Sequence, residues 1–585
     1  MRRALAGAAR SGLNGVDSRP RTMSEHPGAS ARLPATPITA QDINGGPDPE
    51  RRVPFVITAP GVYTLVEDVD WVARDANARA ITIASDDVTL DLCGRTLRQI
   101  DPPAPVVAPD PGARPCRGEV VSGNVGVFAE GRTRLVIRNG SVLGIQGVGI
   151  AARACSQLDL LDLSVRRCGG DGVFDTGFLC RNGGIFVMGA RDAAGGVAFA
   201  EGVRMINCVC SENTSRLDFV VTLGALVLFC DDVQVKGCVF NRTANTSAQP
   251  SGVQFNVVGA DFVICRNVLV EDCEAHDNTS GGEPAGFFAW GENYKFLRCR
   301  ANRNFTLTGN RACGFNISTT SNLEMIECEA DGNYNANPAA SADAVKDFSA
   351  LGFRIGRAVY RGLLEGCRAL GNHGASANAP AGGFALHATR HVVLRRCVAV
   401  GNRNASGTAE DDGLAAGFIA STPLADPQGG LVGGEGNAFI DCIADGNTVH
   451  RAPLFVQPPA PPVDAGPSRG DPRKGAGFLL ERQSDARIIG CQSANNDGKG
   501  IWLRACARAL VEGNTLSRNT LYGIQDEDPA GLSAFTGNRA HLNGSRHRHN
   551  YVGLPPGTPV RKWTLGSPPL DGPPDGIANL SIRLP

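Results

Sequence analysis

Apolar and polar positions follow one short phrase that recurs between about residues 268 and 545. The phrase is an apolar residue, two variable positions, Cys, one variable position, a small residue, two variable positions and Asn. An internal repeat of this kind indicates a solenoid. The step from Cys273 to Cys299 is 26 residues, which is too short for two helices and two turns. Copies of the phrase are VEDCEAHDN, FLRCRANRN, MIECEADGN, LEGCRALGN, LRRCVAVGN, FIDCIADGN and IIGCQSANN.

A second phrase, Gly followed by a large apolar residue, precedes most of these Cys residues by 13 to 15 positions. Two positions later the chain is apolar again, as in Phe315 and Ile317. This period of two predicts a strand with one buried face. An apolar residue also lies three positions before each Cys, such as Met325 before Cys328. Each repeat therefore holds at least two short strands, divided by Gly, Asn and Asp turns.

Strands this short bury a core only if coil stacks on coil, about 4.8 Å apart. Phe then stacks on Phe, Cys on Cys and Asn on Asn, and each buried Asn amide can bond to the next Asn or to the next coil's backbone. In the last two copies Asn514 and Asn538 replace Cys. We therefore predict an all-β protein, a single parallel β-helix of about 13 or 14 coils over residues 53–545.

The opening of this region adds a resemblance to the repeat. ITAPGVYTLVEDV (57–69) and AITIASDDVTLDLCGRTL (80–97) resemble the first coils of right-handed parallel β-helix proteins of the pectate-lyase-like superfamily. The resemblance covers roughly residues 53 to 545 and implies right-handed coiling. It implies no single activity, because that superfamily includes lyases, hydrolases, epimerases, adhesins and viral fibres. No specific enzyme family is matched.

Segments outside the repeat predict irregular structure. Residues 1–52 are expected to form a disordered arm, since their basic start is followed by no apolar stretch adequate for an export signal. A poorly formed export signal is the alternative, and Met23 is an alternative start to Met1. The remaining irregular segments are Pro-rich loop insertions near 101–118, 421–437 and 451–474, and a C-terminal cap or tail over 546–585.

Composition narrows the class of partner. The net charge is −1 and no basic stripe stands out, which argues against nucleic acid. No run of 18 apolar residues exists, so no membrane span is predicted. The sequence has no CxxC pair and no compact Cys/His tetrad, so we predict no metal site and no cofactor.

The chain has 19 Cys residues, which we predict to be mostly reduced. Stacked equivalent residues keep parallel side chains about 4.8 Å apart, whereas a disulfide needs Cβ atoms about 3.8 Å apart and a near-perpendicular torsion. Cys then serves as a small buried apolar residue, and this usage favours an intracellular or virion-associated location. Disulfide bridges are the alternative. We assign ten residues to one equivalent position: Cys168, Cys208, Cys238, Cys273, Cys299, Cys328, Cys367, Cys397, Cys442 and Cys491.

Charged residues of alternating sign flank this Cys position on successive repeats. Parallel stacking would place opposite charges on adjacent coils, which predicts surface ion pairs that help to fix the register. The residues concerned are Glu271, Asp272 and Glu274, then Arg298 and Arg300, then Glu327 and Glu329.

The outward positions of the Gly-Phe strand carry the candidate binding residues. Aromatic rings stack on sugar faces and charged groups bind uronates, so these residue types predict a groove for an extended polysaccharide on an exposed sheet. The alternative is ordinary variation on a solvated surface. The predicted substrate-binding residues are Trp290, Arg354, His387, Glu481, Trp502 and Arg504.

The sequence offers only weak candidates for catalysis. Asp231 and Asp232 form an acidic pair of the kind that inverting glycosidases use, with carboxylates about 6.5–9.5 Å apart. The β-helical polygalacturonases also carry a Gly-His-Gly, which is missing here. Arg354 and His387 could serve a β-eliminating lyase as the base. If the chain is an enzyme, we expect a polysaccharide lyase or glycoside hydrolase of pectate-lyase-like type.

Two functions from different classes therefore stay open. One is a β-helix protein that binds an extended, acidic polysaccharide, with cleavage of that polymer undecided. The other is a non-catalytic structural or adhesive β-helix of a virion or cell surface, which the missing catalytic signature favours. A groove shared by Trp290, Arg354, His387 and Trp502 would favour the first.

Overall fold

The computed structural model describes the following residues: 34–45, 54–102, 123–176, 180–191, 196–217, 220–247, 257–337, 349–356, 359–376, 379–405, 414–422, 434–450, 475–527, 533–544, 551–552, 561–562 and 580–581. The elements below all belong to the compact unit Thr36–Pro585. They are nearly all strands, and the strands stack in parallel register from coil to coil. The predicted right-handed parallel β-helix is confirmed.

Each coil passes through up to four faces, which we call A, B, C and D in chain order. Face A holds the Gly-Phe strands, face B the strands before the Cys position, face C those after it, and face D the short strands after the Asn. Three long strands run through faces A and B without a break: Val257–Glu271, Pro284–Leu297 and Ala312–Ile326.

The other strands of face A stack in parallel from the first described coil to the last. They are Phe55–Ile57, Arg79–Ile83, Asn124–Glu130, Gly147–Arg153, Cys180–Met188, Val221–Leu228, Ala350–Gly356, Ala381–His387, Ala415–Ser421, Gly475–Glu481, Lys499–Arg504, Tyr522–Asp526 and Tyr551–Val552.

Face B follows face A around the first corner of the coil. Its other strands are Thr36–Ile38, Gly61–Leu65, Val88–Asp91, Thr133–Leu143, Ser156–Arg166, Ala200–Ile206, Cys230–Lys236, Tyr360–Glu365, Arg390–Arg395, Gly434–Glu435, Ala438–Ile440, Gln483–Ser484, Arg487–Ile489, Leu510–Glu512 and Ala534–Thr536.

Faces C and D consist of short strands, and the ends of Thr133–Leu143 and Ser156–Arg166 also contribute to face C. Face C holds Val69–Val72, Thr96–Ile100, Val209–Ser211, Arg368–Leu370, Val398–Val400, Ile443–Asp445, Gln492–Ala494, Thr515–Ser517 and Arg539–His541. Face D holds Gly169–Gly170, Thr214–Ser215, Ala244–Asn245, Thr279–Ser280, Phe305–Thr306, Tyr334–Asn335, His373–Gly374, Arg403–Ala405 and Thr448–His450.

A few elements lie outside these stacks. Phe174–Asp175 pairs antiparallel with Cys180–Met188. Two further antiparallel pairs are Ala190–Arg191 with Val197–Ala198 and Arg561–Lys562 with Leu580–Ser581. The single described helix, Ala40–Ile43, starts at a Thr39 capping box. No helix among the described residues is long and apolar enough to span a membrane.

Fifteen of the sixteen described strands of face A lie within residues 53–545, slightly more than the 13 or 14 coils predicted there. The prediction was low because the coils between residues 55 and 150 lack the Cys–Asn phrase. Regular structure also begins earlier than the predicted arm allows, since Thr36–Ile38 pairs in parallel with Gly61–Leu65. The loops predicted near 101–118, 421–437 and 451–474, and the tail over 546–585, lie mostly outside the described residues.

The predicted ladders fill the interior. Phe353 stacks on Phe384 with ring centroids 4.6 Å apart, and Phe384 on Phe418 at 5.0 Å. The Asn333 amide nitrogen donates to Asn372 Oδ1 at 2.9 Å, and Asn372 donates to the next Asn in the same way. The Asn ladder is therefore confirmed, and it satisfies amides that are fully buried.

The glycine of the Gly-Phe phrase is required for steric reasons. A Cβ atom added to Gly314 would lie 2.8 Å from the Cβ atom of Ala330 and 2.8 Å from the carbonyl oxygen of Gly352. Such contacts are too short for carbon, so only Gly permits this approach. Ala330 is the small residue two positions after Cys328, which explains why both phrases of the repeat carry a small residue.

The Cys position is buried, and nine of the ten assigned residues share it. The backbone N–H of Cys208 approaches Sγ of Cys238 at 3.4 Å, and that of Cys238 approaches Sγ of Cys273 at 3.4 Å. The assignment of Cys168 is wrong. Its backbone N–H donates to Asn213 Oδ1 at 3.0 Å, which places Cys168 beside the Asn ladder. Cys180 is disulfide-bonded, whereas the other 17 cysteines that the structure describes are free, as the prediction of mostly reduced thiols requires.

The predicted surface ion pairs beside the Cys position are confirmed. Arg298 contacts Glu271 at 2.6 Å and Asp272 at 2.7 Å. Arg300 lies 3.4 Å from Glu274 on one side and 3.7 Å from Glu329 on the other. These side chains are half-exposed, so each pair stabilises the fold by only a few tenths of a kcal/mol, roughly.

Candidate functional site

Two rows of side chains point away from the interior of face A, one residue and three residues after the Phe ladder. Parallel register aligns each row from coil to coil. The first row is Asp261, Phe288, Asn316, Arg354, Ala385, Ile419, Leu479, Trp502 and Gln525. The second row includes Trp290, Ser318, Gly356, His387, Ser421, Glu481 and Arg504, and Glu527 follows on the next coil.

The middle of these rows is buried, which corrects the prediction of an exposed sheet. Arg354 is 2% exposed, His387 1%, Glu481 7% and Trp502 8%. The physical reason is a second apolar core on the outward side, which includes Ile419. A parallel sheet buried on both faces carries almost continuous apolar strands, as AAGFIAS and GAGFLLE do.

Arg354 and His387 lie on adjacent coils in the middle of this core. The Arg354 guanidinium donates from Nη1 to Oδ1 of Asn316 at 3.0 Å. His387 Nδ1 lies 3.4 Å from the Ser421 hydroxyl. Gly356 separates the two side chains, and a Cβ added there would lie 3.4 Å from His387 Cβ and 3.5 Å from Arg354 Nη1. A methyl group would therefore fit at this position in ordinary van der Waals contact with both side chains.

Trp502, Arg504 and two glutamates form a cluster at the C-terminal end of the rows. The Trp502 indole N–H donates to Glu527 Oε1 at 2.7 Å. Arg504 lies 3.4 Å from Glu527 and 3.8 Å from Glu481. The Lys499 ammonium lies 3.4 Å from the Trp502 ring centroid, a cation–π contact. Arg504 and Glu527 side chains are both 37% exposed, so this end of the rows reaches solvent.

Trp290 stands apart from this cluster. It is half-buried and packs against the outward apolar core of the earlier coils. Its carbonyl oxygen accepts a hydrogen bond from the Tyr294 hydroxyl at 2.9 Å. Two coil steps separate Trp290 from Arg354, or roughly 10 Å along the solenoid. The six predicted binding residues thus lie in the two rows, spread over six coil steps from Trp290 to Arg504.

Asp231 and Asp232 lie elsewhere, at the corner between faces A and B. Asp232 adopts a left-handed conformation with φ 52°, as a tight corner requires. Asp231 accepts hydrogen bonds from its neighbour's backbone N–H and from the Asn267 amide, both at 2.8 Å. Four coil steps separate this pair from Arg354. The structure therefore does not bring the acidic pair to the other candidate residues.

Sequence reasoning missed two features of these rows. Ser421 was overlooked because Gly417-Phe418 was not recognised as a copy of the Gly-Phe phrase, although AAGFIAS matches it. Arg181 and Asp261 form a buried ion pair, with 3.0 Å between their charged atoms. The two residues lie on different coils and no repeated motif relates them, so the sequence did not predict the pair. Burial raises the pKa of Asp261 to about 6, and the nearby Arg181 cation opposes this rise. No group of three or more His, Cys, Asp or Glu suited to a metal occurs within the described ranges.

Comparisons with known proteins agree with the fold. The family model described as the right handed beta helix region matches residues 427–552. No curated protein matches the sequence. Among solved structures, the chain is similar to the periplasmic alginate epimerase AlgG at 10% identity over 75% of this chain and 78% of that one, with a TM-score of 0.38.

Two further structures are similar at the same low level of identity. The Azotobacter vinelandii mannuronan C-5 epimerase AlgE4 A-module is 12% identical over 80% of this chain and 89% of that one, with a TM-score of 0.28. The tailspike protein gp49 of Acinetobacter baumannii bacteriophage Fri1, a capsular polysaccharide depolymerase, is 13% identical over 65% and 56%, with a TM-score of 0.25.

Proposed function

We propose that this protein binds an acidic polysaccharide at the C-terminal end of the outward rows of face A. The observation that carries the proposal is the half-exposed pair of Arg504 and Glu527 beside the Trp502 ring. His387 and Glu481, earlier in the second row, are buried, so the ligand contacts the accessible end of the row.

The chemistry of the exposed end favours an acidic sugar. Arg504 is half-exposed and carries a guanidinium that can bind a carboxylate through two hydrogen bonds. Its Cζ atom lies 5.1 Å from the centroid of the Trp502 ring, so a cation and an aromatic face adjoin each other. Glu481 and Glu527 flank Arg504 and can accept hydrogen bonds from sugar hydroxyls.

Binding of a uronate oligosaccharide to Arg504→Ala and Glu527→Gln variants tests the proposal. Losing the Arg504 contact should raise Kd about tenfold, or ~1.4 kcal/mol, since charge-assisted hydrogen bonds are worth at least that much. Higher salt should weaken wild-type binding, because Arg504 is partly solvated. Isothermal titration calorimetry at low and high NaCl measures both effects.

Arg508→Ala is the matched control for this experiment. Arg508 lies on the same coil as Arg504, but its guanidinium pairs with Asp485 at 2.8 and 2.6 Å on the far side of the corner. Its loss should leave Kd unchanged. An equal loss of binding in both arginine variants would mean that general charge, and not this cluster, attracts the ligand.

Cleavage of the bound polymer is a separate question that the same cluster makes testable. Glu481 and Glu527 are two coil steps apart, so their backbones lie roughly 10 Å from each other. Inverting glycosidases place two carboxyl groups about 6.5–9.5 Å apart. Release of new reducing ends by the wild type, lost in both Glu481→Gln and Glu527→Gln, would establish hydrolysis.

A structural or adhesive role is the second candidate, and the burial of Arg354 and His387 favours it. Both side chains are almost inaccessible, so no polymer reaches them without a change in what covers them. If wild-type protein binds neither acidic nor neutral oligosaccharides, the structural role is the better account.

A further inference from the structure

One corner of the solenoid carries a second ladder, on the outside, at the residue that begins face B in each coil. Every member has a left-handed backbone, with φ between 50° and 63°. Parallel pairing of the adjacent residues aligns them from coil to coil. This edge ladder consists of Asp232, Asn267, Asn293, Asn322, Arg361, His391, Gly436, Asp485 and Arg508.

The first part of the edge ladder is a chain of hydrogen bonds between side chains. Asn267 Nδ2 donates to Asp231 Oδ1 at 2.8 Å. Asn293 Nδ2 donates to Asn267 Oδ1, and Asn322 Nδ2 donates to Asn293 Oδ1, both at 2.9 Å. Each asparagine thus has its partner one coil away. At the far end of the ladder, Arg508 pairs with Asp485 in the same way.

Arg361 and His391 interrupt this pattern. They occupy consecutive positions, both are exposed, and neither makes a hydrogen bond or ion pair to any residue that the structure describes. Two basic side chains on adjacent coils lie about 4.8 Å apart at their backbones. Such a pair is unfavourable whenever both are charged. An anion placed between them would supply a side-chain partner of the kind that Asn322 and Asp485 have within the ladder.

A third cation and an aromatic ring adjoin this pair. Tyr360 precedes Arg361 and is 45% exposed, an unusual value for a large ring in this protein. Arg390 lies opposite Tyr360 on the next coil, with its Cζ atom 5.9 Å from the ring centroid. Within the described part of the chain Arg390 makes no ion pair. Arg390 therefore adjoins the exposed ring of Tyr360, and Arg361 and His391 are the next residues along the two strands.

The next coil positions the His391 ring. Gly436 follows His391 in the edge ladder, and a Cβ atom there would lie 2.4 Å from His391 Nδ1. The imidazole therefore occupies the space that a side chain at this position would fill, and only glycine permits this packing.

We propose that Tyr360, Arg361, Arg390 and His391 form an external binding site for an acidic sugar unit. The sugar ring would lie on Tyr360, and its carboxylate or sulfate would accept hydrogen bonds from the three basic groups. Two guanidinium cations and one imidazole suit one anionic group. Nucleic acid is disfavoured, because its binding draws on many phosphate contacts and the chain has a net charge of −1.

This site is on the outer corner and stands on observations independent of the function proposed for face A. Arg361→Asn together with His391→Asn tests it, since asparagine is the residue that the preceding coils use at this position. The double variant should keep its thermal stability, because Asn322 gains a ladder neighbour. Tyr360→Ser removes the ring, and Ser321 shows that serine is accepted one coil earlier.

The probes are an oligogalacturonate, a sulfated oligosaccharide, a neutral dextran oligomer and an oligothymidine, each titrated into full-length protein by calorimetry. We expect the acidic sugars to bind the wild type and both variants to raise Kd at least tenfold. The neutral sugar should not bind. Arg508→Asn, at the same ladder position but paired with Asp485, should bind as the wild type does.

Several outcomes would overturn the proposal. These are wild-type protein that binds no acidic sugar, a double variant with unchanged Kd, or tighter binding of oligothymidine than of either sugar. Arg504→Ala separates the two proposals, because it removes only the face A contact. If Arg504→Ala abolishes all binding while the double variant retains it, the external site is refuted and face A stands.

Discussion

Asn333 offers the sharpest test of how the interior ladder stabilises the solenoid. Its amide makes four hydrogen bonds: Nδ2 donates to Asn372 Oδ1 at 2.9 Å and to the Ala301 carbonyl at 3.1 Å. Its Oδ1 accepts from the Asn304 backbone N–H at 3.1 Å and from the Asn304 amide at 2.9 Å. Asn333 is fully buried, so no water replaces these partners in an Asn333→Ala variant.

The magnitude follows from what each partner retains. The Asn304 amide keeps the Ala275 carbonyl at 3.3 Å, and Asn372 Oδ1 keeps the backbone N–H of residue 333 at 3.0 Å. The Asn304 backbone N–H loses the acceptor found at Asn333. Four lost bonds at about 1 kcal/mol each, one of which leaves a buried donor without its acceptor, predict a loss of ~4 kcal/mol in the free energy of unfolding.

Asn293→Gly is the matched control, because it removes two 2.9 Å ladder bonds from an exposed position whose left-handed backbone glycine accepts, as Gly436 does in the same ladder. Water replaces them, so the expected loss is below about 0.5 kcal/mol. Urea unfolding followed by circular dichroism measures both variants. Hydrogen exchange at the Asn304 amide reports the local effect, since a solenoid need not unfold as one unit. Equal losses in the two variants would refute the buried ladder as a source of stability.

Three further predictions concern the core, the thiols and pH. Phe384→Ala should lower stability by about 3–5 kcal/mol, measurable by calorimetry, because it opens a cavity in a continuous stack of rings. In native protein at pH 9, Cys93 should be the first of the described cysteines to react with a thiol reagent. Cys93 is exposed, whereas burial raises the pKa of Cys168 to about 12. A Cys93→Ser variant that still reacts as fast as the wild type would contradict this. The pKa of Asp261 is raised in the folded chain, so its contribution to stability is present below about pH 4 and is lost as pH rises through 6. The urea midpoint of the wild type should therefore fall across that window. The fall should be smaller in Asp261→Asn.

The interior of this protein could be predicted because one repeat fixes it many times. Each Phe, Cys and Asn has an equivalent on the next coil, so a period of two and a constant offset are enough to assign the buried face. The prediction failed where the phrase changes. Leu163 stands one coil before Cys208 in the register, and Cys168 lies five residues later, beside the Asn ladder. Assigning positions from the residue type Cys alone therefore placed Cys168 at the Cys position of the coil.

The outward side of face A could not be predicted in the same way, because its burial depends on contacts that no repeat records. The alternation of positions along a strand predicts which side chains point away from the interior, but not which residues they contact. One signal was present: strands such as GAGFLLE are apolar at both parities, which is typical of a sheet buried on two sides. The polar groups were then read as exposed because of their residue type alone.

Burial makes the polar row harder to explain as a product of the fold. The first outward row also holds Ala385, Ile419 and Leu479, so the same position accepts apolar residues without difficulty. Burying Arg354 instead exchanges water for a limited set of partners, and such an exchange seldom adds stability. A fold selected only for stability would extend the apolar row through that coil. Arg354, His387 and Glu481 are almost inaccessible, so under the proposed function the accessible pair of Arg504 and Glu527 is where ligand binding should first be sought.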